Sequence, residues 1–329
     1  MYYTDKINIL KDIFACEDIS LNENALMVDG KIYPIVNDVI ILLEKSRIPV
    51  NIRGLEGEHR DVVSKLFDED IQYTFGEEWK KFDRILPEHQ EIFEDYFDLL
   101  DLSELNDYRM CDLGCGIGRW SFFLTDKCKE LLLLDFSEAI FVARRNLQES
   151  NNVLYFMADI NDLPFRNDFC DIIFSLGVLH HLPNNALEAV RMLNKYAPVL
   201  LIYLYYALDN RPWYFRSLLN IVTIVRSGLC KIRTQWIRSV ITWSIALLVY
   251  KPLVGLGKIF QLFGCGNKVP LYEAYNGKSI EGIRQDVYDR FFTGIEQRFA
   301  KKDILKLNDT YREIIISDKI PYWHFLCKR

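Results

Sequence analysis

The residues best equipped to hold a ligand form one short run, Cys111-Asp112-Leu113-Gly114-Cys115-Gly116-Ile117-Gly118-Arg119. Its alternating glycines let the backbone turn sharply and let a ligand touch main-chain atoms that a Cβ would screen. The spacing is G-x-G-x-G, not the G-x-G-x-x-G of dinucleotide-binding turns. An acid, Asp135, ends the all-leucine run Leu131 to Leu134, 21 residues beyond Gly114. At that place in a Rossmann-like site a carboxylate accepts from ribose hydroxyls. Ser137 then suits a helix N-cap. After the next apolar run comes Asp159-Ile160, a carboxylate able to accept from an amino-purine beside an aliphatic side chain able to pack its ring. The next run ends in Ser175-Leu176-Gly177-Val178-Leu179-His180-His181-Leu182-Pro183. His180 and His181 are the nearest groups able to take a proton near neutral pH; the alternative reading is that they pack or cap the loop.

These residues must sit at the ends of strands, and the surrounding pattern supplies them. Apolar runs of four to six residues alternate with helical stretches, which predicts βαβ units and a mostly parallel sheet. Strands are expected at 109–113, 131–134, 153–157, 171–175 and 199–204, with helices near 119–126, 138–149 and 184–196. A helix around 301–308 and strands at 313–317 and 323–327 close the series. The fold class is α/β: a seven-stranded Rossmann-like sheet with helices on both faces.

Five segments follow. Residues 1–48 form a small strand-rich flap, punctuated by Asp29-Gly30, Pro34 and Asn37-Asp38. Residues 69–102 form a helical lead-in or lid, with Pro87 suited to a first turn. Residues 103–209 are the ligand-binding core, 210–272 a helical insert, and 273–329 the last part of the sheet. Within the lid, Trp79 and Glu78 are candidates to close over a substrate; core packing is the competing reading for Trp79. Tyr203, Tyr205 and Asp209 are further candidates at the end of the fifth strand.

The chain of 329 residues has a formal charge of −6 and a pI near 5.5, which argues against general nucleic-acid binding. The insert departs from that balance: 210–272 holds nine Lys or Arg and no Asp or Glu, leaving −15 for the remainder. Its longest uncharged stretch, Ser239 to Tyr250, is too short to span a bilayer. Between Gln235 and Leu248, residues Ile237, Val240, Ile241, Ile245 and Leu248 form one apolar stripe, with Gln235, Arg238, Ser239 and Thr242 on another face. This segment reads as a cap over the sheet, the preferred assignment, or as a membrane-surface contact. The eight cysteines include no C-x-x-C pair and read as reduced thiols; no metal site is expected. The N-terminus lacks the apolar run of a signal peptide, so a cytoplasmic protein is expected, peripheral to the inner membrane face if the insert touches lipid.

Taken in order over residues 109–183, these features resemble the class I S-adenosylmethionine-dependent methyltransferases, specifically the bacterial type 11 group with its D-x-G-C-G-x-G loop and V-L-H-H-L signature. The resemblance implies S-adenosylmethionine as cofactor. Asp112, Gly114, Cys115, Gly116 and Gly118 would lie along its methionine part, with Arg119 near its carboxylate. Asp135 with Ser137 would hold the ribose, Phe136 would flank the adenine, Asp159 and Ile160 would recognise the base, and the Leu176 backbone would lie near the sulfonium. The flap is similar to a module that precedes related enzymes, through Tyr33-Pro34-Ile35 and Ile40 to Leu43, but lacks the paired cysteines with which such modules bind zinc.

The implied activity is methyl transfer to a small-molecule, glycan or lipid-linked acceptor, at oxygen or nitrogen, by in-line displacement. Positioning supplies most of such catalysis. Two other readings stand beside it: a membrane-associated scaffold that binds S-adenosylmethionine without turnover, and a nicotinamide-dependent oxidoreductase, which the glycine spacing and Asp159 disfavour.

Overall fold

A computed structural model describes residues 1–49, 52 and 69–329. At its centre lie β5 (Arg109–Leu113), β6 (Glu130–Asp135), β7 (Val153–Met157), β8 (Ile172–Leu176) and β9 (Val199–Tyr203). These run parallel in the order β7-β6-β5-β8-β9. The apolar runs become strands because both faces are covered: β6, β7 and β8 are buried from end to end. Successive side chains feed opposite layers, Leu132 and Leu134 one core and Leu131 and Leu133 the other. β10 (Glu313–Ile316) and β11 (His324–Lys328) finish this part, with β11 antiparallel to both β9 and β10.

Seven strands were expected and eleven form one sheet. The additional four are β1 (Ile19–Leu21), β2 (Ala25–Val28), β3 (Lys31–Val36) and β4 (Val39–Ile41), after helix α1 (Ile7–Phe14). β4 pairs in parallel with β7, Ile40 beside Phe156, so the N-terminal strands extend the central sheet instead of standing apart from it. An uncovered β7 would leave a buried edge with unpaired backbone groups, and β4 satisfies them.

The lid is two helices, α2 (Glu69–Lys81) and α3 (Glu88–Tyr96), with Pro87 at the N-cap of the second. α4 (Ala139–Asn146) and α5 (Ala186–Leu193) occupy two of the expected crossovers. The third expected helix, 119–126, is only a 3-10 turn at Ser121–Leu124. The insert folds as α6 (Trp213–Leu229), α7 (Gln235–Ile245), a π turn at Ala246–Tyr250 and α8 (Lys251–Gln261), followed by the short α9 (Tyr272–Tyr275) and by α10 (Ile280–Phe292). α6 and α7 pack on α10, and the short α11 (Lys301–Ile304) precedes the final strands.

The expected stripe on α7 is reversed. Arg238 and Thr242 are buried, while Val240 and Leu248 face outward and Ile241 and Ile245 are half-buried. Arg238 is buried because α10 gives it a partner: its Nη1 donates to the Tyr288 hydroxyl at 3.0 Å and its guanidinium lies 5.1 Å from the Phe292 ring. Hydrophobic periodicity carries no information about such a partner.

Candidate active site

The glycine turn is tied to its neighbouring strand: the Gly114 and Cys115 N–H groups donate to the Leu134 carbonyl at 2.8 and 3.0 Å. Gly114 sits at φ +83° and Gly116 at φ +53°, conformations that L side chains rarely adopt. Space excludes larger residues as well. A Cβ on Gly114 would lie 2.4 Å from Val178 Cγ1, and one on Gly116 would lie 3.0 Å from the Trp79 indole. The β8 loop and the lid helix therefore press on the turn from two sides.

Asp135 closes the turn from below. One carboxylate oxygen accepts the Gly116 N–H at 2.9 Å; the other accepts the Ser137 N–H and hydroxyl at 2.8 and 2.7 Å. The Phe136 backbone donates to this carboxylate as well, and Asp135 lines the cleft. Burial raises its pKa, and the donors from Ser137 and Gly116 oppose that rise. Ser137 also accepts the Ala139 N–H at 3.3 Å, at the start of α4. Asp112 lies underneath, bonded to the Ser121 hydroxyl at 2.6 Å. Burial pushes its carboxyl up to about 7, with the Ser121 donor opposing and nearby Asp135 reinforcing.

A cleft opens over these residues. Of the residues expected at the site, Gly114, Cys115, Gly116, Asp135, Phe136, Asp159, Ile160, Leu176, His181 and Trp79 line it. Asp112, Gly118, Ser137, Glu78, His180, Tyr203 and Tyr205 lie behind that wall. Burial beside Asp135 and Asp112 pushes the Cys115 thiol well up, so it serves as wall and not as nucleophile. Trp79 both packs with Ile117, Ala139 and Val142 and faces the cleft. Arg119 lines the same cleft, its guanidinium 5.0 Å from the Trp79 ring and 4.4 Å from that of Trp120.

One end of the cleft is braced by the N-terminal segment through Asp159. Arg47 Nη1 donates to Asp159 Oδ2 at 3.1 Å, with both side chains buried. Asp159 Oδ1 accepts from the Asn161 N–H and side-chain amide at 2.9 and 3.1 Å. Gln72 of the lid ties the corner, donating to the carbonyls of Arg47 at 3.1 Å and Phe136 at 2.6 Å.

At the other end stands His181. Its Nδ1 lies 2.6 Å from the Ile295 carbonyl; a carbonyl can only accept, so Nδ1 carries the proton of the neutral ring and Nε2 keeps its lone pair. Nε2 is 3.7 Å from Asp289 Oδ1 on α10. Asp289 is itself held by the Tyr205 hydroxyl and by Thr293 Oγ1 at 3.0 Å. His180 is turned away, fully buried and stacked on Tyr205 with ring centroids 3.8 Å apart. Burial, His181 and Arg298 depress its pKa well below the usual range, so it stays neutral. Tyr203 is buried beside them. Glu78 is buried nearby, with Oε2 lacking a hydrogen-bond partner; burial and the charge of Asp289 push its carboxyl well above the usual range. Asp209 lies elsewhere, accepting from the Trp323 indole N–H at 2.8 Å.

Sequence reasoning missed Arg47 and Asp289. Arg47 is one arginine in a polar stretch with no local motif. Asp289 lies in Asp286-Val287-Tyr288-Asp289-Arg290, where the two acids share a helix face, a pattern far more often solvated than buried.

The arrangement fits the implied cofactor: a glycine turn and the carboxylate of Asp135 line one cleft together with Phe136, Asp159 and Ile160. Comparison with known proteins points the same way for the core. Residues 110–200 match the family described as "Methyltransferase domain". No curated protein matches the chain. Among solved structures, magnesium protoporphyrin IX methyltransferase of Synechocystis is similar at 19% identity and TM-score 0.37, over 44% of this chain and 80% of that one. The YcgJ protein of Bacillus subtilis is similar at 22% and 0.35, over 41% and 59%. Phosphoethanolamine N-methyltransferase 1 of Haemonchus contortus is similar at 18% and 0.35, over 40% and 31%. The chain thus spans less than two thirds of the length of the last two. The match to a methyltransferase domain over 110–200 falls on the part of the chain that carries the glycine turn after β5 and the acid that ends β6.

Proposed function

We propose that the chain transfers a methyl group to a hydroxyl or amine of a small-molecule, glycan or lipid-linked acceptor, with His181 taking the acceptor's proton. The observation that carries this reading is the placement of His181 in the wall of the cleft formed by Gly114, Gly116 and Asp135. Bound S-adenosylmethionine supplies an electrophilic methyl on a sulfonium that is already a good leaving group.

The chain's own residues supply the rest. Gly114 and Gly116 would lie along the cofactor's methionine part, Asp135 would hold its ribose, Arg119 would face its carboxylate, and Trp79 and Phe75 would cover the cleft and exclude water. The Ile295 carbonyl fixes His181 in the tautomer whose Nε2 can accept a proton, and Asp289 stabilises the imidazolium that results.

Calorimetry with S-adenosylhomocysteine tests the first half of this reading, with one site per chain expected and its loss in Asp135→Ala; no heat from the intact protein would sink it. The second half is tested by methyl-labelled cofactor and pooled hydroxyl and amine acceptors. His181→Asn should slow labelling by about 10² to 10⁴ while leaving S-adenosylhomocysteine affinity within about twofold. Equal loss of binding and rate would remove the role given to His181.

A further inference from the structure

Helices α6 to α8 are built inside out for a protein surrounded by water. α6, α7 and the π turn pack on α10, and Arg226, Arg238, Thr242, Ala246 and Tyr250 are buried. Arg226 lies 2.8 Å from Glu296, and Arg238 meets Tyr288. Their outer side is apolar: Trp213, Ile224, Trp236, Leu248, Leu262 and Phe263 are 69 to 82% exposed. Among the described residues, 16 of the 25 exposed large apolar side chains fall between Trp213 and Phe263. Isolated exposed leucines need no explanation, but such a concentration marks a contact surface.

Charge identifies what the surface contacts. Arg216, Lys231, Lys251, Lys258 and Lys268 are exposed in the same segment, and no carboxylate lies between 210 and 272. Apolar side chains ringed by cations alone suit the boundary of an anionic bilayer, where acyl chains take the apolar groups and lipid phosphates the cations. Tryptophans such as Trp213 and Trp236 favour that boundary. A second copy of the chain would bring a like-charged face against this one. The expectation that this insert is too short to span a bilayer does not hold by length: Gln235–Gln261 forms one continuous helix of 27 residues, long and apolar enough to cross a membrane. Its Thr242, Ala246, Tyr250 and Val254 are nevertheless buried, and crossing would strip that side from α10.

We propose that α6, α7 and α8 dock this protein in the plane of an anionic membrane surface. Of these helices, α6 and α7 pack on α10, which also carries the Asp289 that faces His181. The surface thereby brings lipid-borne acceptors to the neighbourhood of the cleft.

Flotation of the full chain with phosphatidylcholine vesicles, with and without phosphatidylglycerol, tests the proposal. Binding is expected to the anionic vesicles and to fall as salt rises. The triple variant Lys231→Ser, Lys251→Ser, Lys258→Ser should bind about a hundredfold more weakly, at roughly fivefold per removed cation. Trp236→Ser with Leu248→Ser and Phe263→Ser should abolish binding. Calorimetry with S-adenosylhomocysteine on each variant shows that the core remains folded, and the vesicle readout does not depend on turnover. The proposal is overturned by absence of vesicle binding, by equal binding of wild type and both variants, or by a dimer that the apolar variant disperses in the absence of lipid affinity. Resistance of the membrane-bound chain to alkaline carbonate, with release only by detergent, would indicate a span and overturn it as well.

Discussion

The guanidinium of Arg47 lies 3.1 Å from the carboxylate of Asp159, a buried pair that joins the N-terminal segment to the end of the third core strand. A residue of the cleft wall, Asp159, is therefore braced from behind by a residue 112 positions away.

Breaking that pair leaves one buried charge uncompensated. Arg47→Met should cost about 3 kcal/mol of stability, within the range for buried pairs missing one partner. Arg47→Met with Asp159→Asn should recover part of it, because no ionised group is then left alone. Urea unfolding of the two single variants and the double variant measures the coupling; purely additive losses would show that the pair contributes nothing through its charges.

Gly114 and Gly255 separate the two consequences of a missing Cβ. Gly114→Ala would meet Val178 at 2.4 Å in a left-handed backbone conformation, and should lower both stability and S-adenosylhomocysteine affinity, each by about 2 kcal/mol. Gly255 lies inside α8 with nothing within 4 Å, so Gly255→Ala should raise stability by about 0.5 to 1 kcal/mol and leave binding unchanged. Thermal unfolding with calorimetry reports both quantities; an intact site in Gly114→Ala would contradict the close approach of the β8 loop.

Asp112 gives the apo protein a pH dependence of definite sign. Burial favours its neutral form in the folded state, with a pKa of about 7 against an ordinary value of 3.8. Below pH 4 both states hold the proton and the group contributes no dependence. Between pH 4 and 7 the unfolded chain releases the proton while the folded chain keeps it, so stability falls as pH rises. Above 7 both are ionised and the loss is complete, up to about 4 kcal/mol for a shift of this size. Asp112→Asn removes this dependence. Its stability relative to wild type should therefore improve from pH 4.5 to pH 7.5, roughly, in urea titrations; a constant difference would show that Asp112 is ionised throughout.

The glycine turn, Asp135 and the five parallel strands were legible in the sequence because local steric and solvation rules dictate them. A turn at φ +83° requires glycine, and strands buried on both faces require unbroken apolar runs. What the sequence could not supply was partnership between distant segments. The extension of the sheet through β4 depends on an edge of β7 lying free 116 residues later. The reversal of α7 depends on Tyr288 and Phe292 meeting Arg238. The separation of His181 in the cleft from His180 behind it depends on which carbonyl, carboxylate and ring each one meets. Periodicity records a side chain's preference for water or oil, whereas a buried polar group is decided by a specific partner, and only the tertiary structure brings that partner into reach.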